Sequence, residues 1–524
     1  MEPARLFNLR TRYILAYNTC SNRCAQRLRK HKVSGKGVMM QIDTPKSFYI
    51  WTVGCQMNVA DSNYVAEALR QRGYVEAEEI EQADVVVLNS CVVRQSAEDR
   101  IIGKLGEVAR LKKHKPNLFL ALTGCMVTED QTTLRRRFPM VDLFFKPSAV
   151  ADFLVGLPDN HAPDLGEYGV ALALEGILPT AQAGGITAYI PIIYGCNKTC
   201  TYCIVPFRRG KERSRTIEDI VAEVRSLTRQ GVREVTLLGQ NVDTYGHDLP
   251  ERTDLAALME RLNEVEDLWR IRFLTSHPKD MAQNLIEAVA RLPKAMEHIN
   301  LPVQAGDDEV LKRMKRRYTL RYYRDLIRRI RDTIPGVTLA TDIIVGFPGE
   351  THEQFMHTME LLEEIRFDKV HVAAYSPRPG TVAATWPDDV PHDEKMLRLH
   401  AVEALQERIG YELNSRHVGE QMEVLIEGTE RGKWMGRTRG NKIVFIPKEG
   451  NSNIERTGQL VIAHITEAGP WSLQGTLVRV IHDTPPALRE LLAKRARRAS
   501  AIPLATSFTL RPATLQNNPP AAVN

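Results

Sequence analysis

Three of the eight cysteines stand as Cys196-Asn-Lys-Thr-Cys200-Thr-Tyr-Cys203, a C-x3-C-x2-C cluster. A structural zinc site takes four ligands, and no fourth stands nearby, so three thiolates suit an iron–sulfur cluster better than zinc. A cluster held by three ligands leaves one iron open, and an open coordination position is a catalytic feature. A second set, Cys55, Cys91 and Cys125, is spaced by 36 and 34 residues. Free buried cysteine is common in itself, but each of these three follows the same local grammar. Phe48-Tyr49-Ile50-Trp51-Thr52-Val53 leads to Gly54-Cys55, Val85–Leu88 to Asn89-Ser90-Cys91, and Leu118–Leu122 to Thr123-Gly124-Cys125. Continuous apolar runs between helical segments read as buried parallel strands. The carboxyl ends of parallel strands share one edge, so three thiols there can converge on a second cluster, again with an open iron. Cys20 and Cys24 lack further ligands and read as ordinary reduced thiols. Metal-bound and free thiols both suit a reducing cytoplasm.

The elements that must position these residues divide the chain as follows. Residues 1–45 are a basic, acid-poor extension, expected to be poorly ordered. Its composition resembles a mitochondrial presequence superficially; the plainer reading is an extension, or an upstream start with Met39 or Met40 as the real beginning. Residues 46–157 form an α/β domain with a parallel sheet, in which the helix after Cys55 carries Val65, Ala68 and Leu69 on one face and stops at Gly73. Residues 158–185, rich in Ala, Gly and Pro, are a linker. Residues 186–412 hold six strand–helix units, with strands at Tyr189–Tyr194, Glu234–Leu238, Trp269–Leu274, His298–Leu301, Val337–Val345 and Lys369–Tyr375. Helices such as Ile217–Arg229 and Leu320–Thr333 lie between them, and a barrel or partial barrel of the TIM type is expected. Residues 413–480 carry short strands at Met422–Glu427, Trp434–Arg437, Lys442–Ile446 and Gln459–Ile465, as in a small all-β barrel. Residues 481–524 are a tail with one short basic helical stretch, the rest expected to be disordered. The fold class is thus α/β multidomain. No apolar segment is long enough for a membrane helix, and eight cysteines are too few for a disulfide scaffold.

The motifs around these cysteines are specific. Thr52-Val-Gly-Cys55-Gln-Met-Asn58, Asn89-Ser-Cys91-Val-Val-Arg94, Thr123-Gly-Cys125, the Cys196–Arg215 stretch CNKTCTYCIVPFRRGKERSR, Leu238-Gly-Gln-Asn-Val-Asp-Thr-Tyr245, Thr275-Ser-His-Pro278, Leu301-Pro-Val-Gln-Ala-Gly306, Asp342–Thr351 and Tyr375-Ser-Pro-Arg-Pro-Gly-Thr381 recur along Lys46–Val480. In them the chain resembles the methylthiotransferases of the radical SAM superfamily, most closely the MiaB-type, tRNA-modifying branch. The resemblance implies a partial TIM-type radical SAM core, an N-terminal domain with an auxiliary 4Fe-4S cluster, and a TRAM module that grips RNA. It implies two 4Fe-4S clusters and S-adenosyl-L-methionine (SAM) as cofactors. SAM would chelate the open iron at Cys196, Cys200 and Cys203 and yield a 5′-deoxyadenosyl radical that abstracts hydrogen from adenine C2. Sulfur associated with the cluster at Cys55, Cys91 and Cys125 would be inserted there, and a second SAM would supply the methyl group. The expected substrate is N(6)-isopentenyladenosine next to the tRNA anticodon. The alternatives are threonylcarbamoyladenosine in tRNA, a ribosomal-protein aspartate, or no catalysis at all but iron–sulfur electron transfer. A carrier usually closes each cluster with four cysteines, against the three in each set here. The expected partners are a tRNA anticodon loop and an electron donor such as flavodoxin or ferredoxin, with no membrane, for a cytoplasmic monomer.

Supporting residues are read from position. Tyr202, between cluster cysteines, lies either against the SAM adenine or in the barrel core. Gln240, Ser276, Gln304 and Asp342 follow or end barrel strands, where catalytic-face residues sit, and are the candidate SAM contacts; each has the alternative of satisfying strand-end backbone groups. No catalytic side chain beyond the cluster ligands is assigned. His277 and His298 read as structural, and Gly346-Phe-Pro-Gly349 as a turn lacking the ending of a phosphate loop. Arg208, Arg209, Lys211, Arg213 and Arg215 are either a solvated face or contacts to phosphate or the SAM carboxylate. In the small barrel, Arg431, Lys433, Arg437, Arg439 and Lys442 interleave with Trp434 and Phe445, which suits RNA; Lys433, Arg437 and Arg439 are the expected contacts. Net charge is a poor guide: the overall +6 arises from +7 in residues 1–44 and +5 in 484–524, leaving −6 for the body.

Overall fold

The structure is a computed structural model that describes residues 46–91, 95–127, 131–147, 149–158, 185–448 and 455–501, the side chains of 95–96 and 494–501 excepted. The basic extension with Cys20 and Cys24, nearly all of the linker and the end of the tail lie outside the described residues. The first strands and helices are β1 (Ser47–Val53), α1 (Gln56–Gln71), β2 (Val75–Glu76), β3 (Val85–Ser90), α2 (Gln95–His114), β4 (Phe119–Gly124), α3 (Thr132–Arg137), β5 (Leu143–Phe144) and α4 (Val150–Val155). Their strands form one parallel sheet in the order β2-β1-β3-β4-β5. Val85, Val86, Val87 and Leu88 are at most 2% exposed, because both sheet faces are covered, by the apolar stripes of α1 and α2 among others. The short edge strands β2 and β5 have no strong sequence signal: two residues each are too few to show a period.

The second series runs β6 (Thr187–Pro191), β7 (Ile193–Tyr194), α5 (Val205–Arg209), β8 (Arg213–Ser214), α6 (Ile217–Arg229), β9 (Glu234–Leu238), α7 (Leu255–Asn263), β10 (Arg270–Phe273), α8 (Gln283–Arg291), β11 (His298–Asn300), α9 (Asp308–Arg313), α10 (Leu320–Thr333), β12 (Thr338–Val345), α11 (His352–Ile365), β13 (Lys369–Ala374) and α12 (His392–Ser415). Strands β6-β9-β10 and β11-β12-β13 are each parallel, and an Ile271–Ala295 bridge joins the two groups. Six strands without closure make the expected partial barrel. Helix α6 starts at Thr216, whose side chain accepts the Asp219 N–H, and its Ile220, Val221, Val224 and Leu227 pack inward. The N-terminal domain leans on this barrel through α1: Met57 and Ala60 form one apolar cluster with Leu238, Tyr189 and Leu274. Burial of a side chain such as Met57 or Leu238 contributes about 1.5–3 kcal/mol.

The last module is a closed barrel in the order β14-β15-β16-β18-β17, from β14 (Gln421–Glu430), β15 (Lys433–Thr438), β16 (Ile443–Ile446), β17 (Leu460–Ala468) and β18 (Ser472–His482), followed by α13 (Pro486–Ala501). Four of these strands were expected, but β18 was not. Only its first half alternates between buried and exposed residues; from Thr476 onward it lies largely open, so its pattern reads as loop. The module therefore extends past residue 480. The helical stretch expected in the tail is α13, and it packs on the body: Leu488 is 1% exposed, in a cluster with Ile186, Leu425 and Leu460. It fits only because Gly231 and Gly458 leave room, since a Cβ at these positions would stand 2.8 and 2.6 Å from Leu488 atoms. Among the described residues, no helix is long and apolar enough to cross a membrane.

Candidate active site

The register aligns Val53 with Ser90 and Ser90 with Gly124, so Cys55, Cys91 and Cys125 emerge at one edge of the sheet. Two glycines make this possible. A Cβ on Gly54 (φ +150°) would meet Cys91 Cβ at 2.6 Å, and one on Gly124 (φ +100°) would meet the Ser90 carbonyl oxygen at 2.1 Å. Gly124→Ala is expected to cost about 3 kcal/mol or more. Calorimetry should show a clear fall in Tm; an unchanged Tm would contradict this account of the loop.

Cys55 is the residue before α1, and its thiol donates to Asn58 Oδ1 at 3.2 Å. Asn58 in turn donates to Asn89 Oδ1 at 2.9 Å and to the Ser90 carbonyl at 3.1 Å, tying the Cys55 and Cys91 loops together, and Cys125 N donates to the same carbonyl at 2.8 Å. Cys91 and Cys125 are buried and Cys55 is exposed. Burial pushes the Cys125 thiol up, and Arg209 opposes that shift. Arg209 Nη2 donates to Asp61 Oδ2 at 2.8 Å. Burial works against the Arg209 charge, but Asp61 and the Cys125 and Cys55 thiols hold the guanidinium above its ordinary value. Arg208 interacts electrostatically with Cys125, and its buried Nε has no acceptor among the described residues. Arg378 lies near Cys91 and 3.9 Å from Glu98. Three thiols ringed by arginines, with one N–H left over, fit a negatively charged iron–sulfur cluster. Among the described residues no three Cys, His, Asp or Glu side chains surround a position for a single ion.

The Cys196, Cys200 and Cys203 set sits in the loop after β7. Gly195 (φ +74°) allows the chain to turn against Lys211, whose carbonyl oxygen a Cβ would meet at 2.1 Å. Cys196 N donates to the Gly210 carbonyl at 3.1 Å and Cys203 N to the Cys200 carbonyl at 3.1 Å. Burial pushes Cys196 up to about 11 and Cys203 up to about 12; a bound cation reverses that preference and deprotonates the thiols. Arg316, 6% exposed, donates to Cys200 Sγ at 3.7 Å, to the Pro302 carbonyl at 2.9 Å and to the Tyr318 hydroxyl at 3.1 Å. Lys198 Nζ pairs with Asp280 Oδ2 at 2.5 Å. Three thiols with N–H donors aimed at their sulfurs suit a cluster here as well.

The named SAM candidates fare unequally. Tyr202 is half-buried and meets Phe347 edge-on at 6.3 Å, so it belongs to the barrel core on one side and remains open on the other. Gln240 is half-buried just past β9. Gln304 holds φ +77° and bridges to β12, its N–H donating to the Asp342 carbonyl at 2.9 Å. Asp342 is not at a strand end: it lies inside β12 and accepts from Asn300 Nδ2 at 3.4 Å. Ser276 is buried and donates to Asp243 Oδ1 at 2.9 Å, so its hydroxyl is engaged by protein. Asp243 also accepts the His277 N–H at 2.7 Å, and burial pushes it up to about 7. His277 is driven down to about 3 by burial and the Arg316 cation, so it is neutral, in a structural role. Sequence reading missed Arg316, Asp243, and two buried polar atoms without a partner among the described residues, Asn241 Oδ1 and the Tyr375 hydroxyl. Asn241 and Tyr375 follow β9 and β13, and their places in the quoted motifs were the available signal. Arg316 stands in a basic run with nothing to single it out.

Residues 190–362 match the family described as the radical SAM superfamily, 47–146 the uncharacterized protein family UPF0004, and 415–478 the TRAM domain. A tRNA-2-methylthio-N(6)-dimethylallyladenosine synthase of Herpetosiphon aurantiacus is 50% identical over 436 residues, covering 82% of this chain and 97% of that protein. The chain belongs to this family of synthases. The proteins of the same name from a Roseiflexus species and Chloroflexus aurantiacus are 51% and 49% identical, each over 83% of this chain and 91% and 92% of their own lengths.

In this synthase-family chain the TRAM barrel is fastened to the radical SAM core by the Arg439 side chain and the Arg437 carbonyl, while Lys433 pairs within the barrel. Arg439 donates to Glu297 at 2.7 and 2.8 Å and to the Ala295 carbonyl at 2.7 Å. Arg437 pairs with Glu427 at 3.3 Å, and its carbonyl accepts from the buried Arg270 at 2.9 Å. Lys433 Nζ donates to Gln474 at 2.6 Å. Arg439 is therefore a seam residue, a role that sequence spacing cannot reveal because its partner is 142 positions away. Arg431 in this stretch has a side chain 86% exposed, 3.8 Å from Glu430. Arg439→Ala should cost about 1–2 kcal/mol. It should lower Tm while tRNA affinity at matched folded fraction stays near the parent value; a tenfold loss of affinity without a Tm change would restore the RNA role. The basic run after Cys203 is only partly a solvated face, with Lys211 and Arg213 exposed. Arg209 reaches Asp61, Arg215 pairs with the buried Glu223 at 2.6 Å and donates to Tyr64 at 3.3 Å, and Arg213 lies over the Tyr194 ring.

Proposed function

We propose that this chain methylthiolates C2 of N(6)-isopentenyladenosine beside the tRNA anticodon, with SAM as radical source and, in a second molecule, as methyl donor. The observation that carries the reading is the joining of two three-thiol sets through one apolar contact: Ile204, next to Cys203, lies in the same cluster as Cys91 and Cys125. Near-neighbour relatives of the same name over almost their full length support it. A reduced 4Fe-4S cluster with SAM supplies the radical chemistry for a strong C–H bond, and the protein positions and shields it. Cys196, Cys200 and Cys203 would hold that cluster, and Cys55, Cys91 and Cys125 an auxiliary one. Arg316 and the Lys198 N–H serve the first set by donating to its sulfurs. Tyr202, Gln240, Asn241, Gln304 and Tyr375 are the side chains we assign to contact SAM and the base, and the base must leave its stack to reach them. The electron donor is of flavodoxin or ferredoxin type, and the protein works as a cytoplasmic monomer.

Nucleoside mass spectrometry of tRNA from a deletion strain tests the substrate. The expected result is loss of 2-methylthio-N(6)-isopentenyladenosine and accumulation of N(6)-isopentenyladenosine. Loss of the methylthio form of threonylcarbamoyladenosine instead would transfer the activity to that base. Unchanged nucleosides in a strain with no second such enzyme would reject the reading.

A further inference from the structure

Helix α5 connects the two thiol sets and ends on a cation that the proposed chemistry does not use. It begins two residues after Cys203 and ends at Arg209. The Arg209 and Asp61 side chains are 5% and 4% exposed and meet at 2.8 Å. Arg209 also interacts electrostatically with the Cys125 and Cys55 thiols. Asp61 sits on α1, the helix that starts directly after Cys55. One guanidinium thus spans the loop of the first thiol set and two loops of the second. A buried ion pair is weak evidence for stability, since an apolar pair of similar volume is often as stable or more so. A buried cation beside ligating sulfurs has a different effect: the charge around a cluster sets its reduction potential.

We infer that Arg209 is a positioning residue for the Cys55–Cys91–Cys125 site, the buried cation that offsets the charge of the cluster held there and raises its reduction potential, with Asp61 fixing the guanidinium in place. The inference rests on the auxiliary-cluster reading. Arg208 adds a second cation on the same side, its Nε still without an acceptor among the described residues. Removing positive charge beside a cluster disfavours the reduced, more negative state, so the potential must fall when Arg209 is neutralised.

The test uses the full chain with Cys196, Cys200 and Cys203 replaced by Ala, so that only the auxiliary site can bind a cluster. After anaerobic reconstitution, iron, sulfide and Tm are measured, and the midpoint potential is followed by electron paramagnetic resonance. Arg209→Gln is expected to weaken electron affinity about tenfold or more, a fall of about 59 mV for a one-electron couple. Arg209→Lys, which keeps the charge, should recover most of it. Because Arg209→Gln strands a buried carboxylate, the same measurement is made on Arg209→Gln with Asp61→Asn. That double variant should keep the parent Tm and still show the lowered potential, or lose iron from a folded protein. An unchanged potential in a variant that retains its iron overturns the inference. Loss of Tm and iron together in both variants assigns Arg209 a purely structural role and overturns it as well. If the triple-alanine chain binds no iron with Arg209 intact, it is the auxiliary-cluster reading that fails.

Discussion

Cys200→Ala protein, reduced in the presence of SAM, is expected to form 5′-deoxyadenosine about 10³-fold more slowly than the parent, or not at all, a barrier increase of about 4 kcal/mol or more. The physical reason is that three thiolates are the minimum anchor for a cluster with one open iron, and Cys200 is the middle one of three. Its sulfur also receives the Arg316 N–H at 3.7 Å, so its removal leaves a buried cation facing a void. Iron in the anaerobically purified protein should fall from about eight to about four per chain. Methylthiolation should vanish with SAM cleavage, because both depend on the same site. A Cys200→Ala protein that cleaves SAM at the parent rate would remove the C-x3-C-x2-C set from the chemistry.

The second large effect separates the two thiol sets. Cys55→Ala is expected to cleave SAM within about threefold of the parent rate, yet give no methylthio product above background. The fold should survive, since Cys55 is exposed and its thiol makes one hydrogen bond, to Asn58, of about 1 kcal/mol. Iron should again fall to about four per chain. The split is the informative result, because loss of folding would lower both readouts together. A Cys55→Ala protein that still methylthiolates tRNA would contradict the auxiliary-cluster assignment.

Much of this site was legible in the chain. The helices Ile217–Arg229 and Leu320–Thr333 and the strand Glu234–Leu238 have the bounds expected of them, because their apolar period and caps are local properties. The strand–glycine/serine–cysteine grammar was legible for a similar reason. A parallel strand buried on both faces is a continuous apolar run, and the tight exit at Gly54 and Gly124 admits no side chain. Strand β18 was not legible, since half of it is solvated and carries no alternation.

The proposed grouping of six thiols into two sets of three and the order of the modules follow from residue types, the close spacing of one set and the repeated strand–cysteine grammar of the other. The destinations of the arginines do not. In sequence, Arg209, Arg316 and Arg439 are members of basic runs. In the folded chain they meet Asp61, Cys200 and Glu297, partners 148, 116 and 142 positions away. A guanidinium has a long reach and many acceptors, and only packing of α1 on the barrel, and of the TRAM barrel on the core, selects which carboxylate or sulfur it finds. The cysteines announce the chemistry, and the tertiary contacts decide which charges surround it.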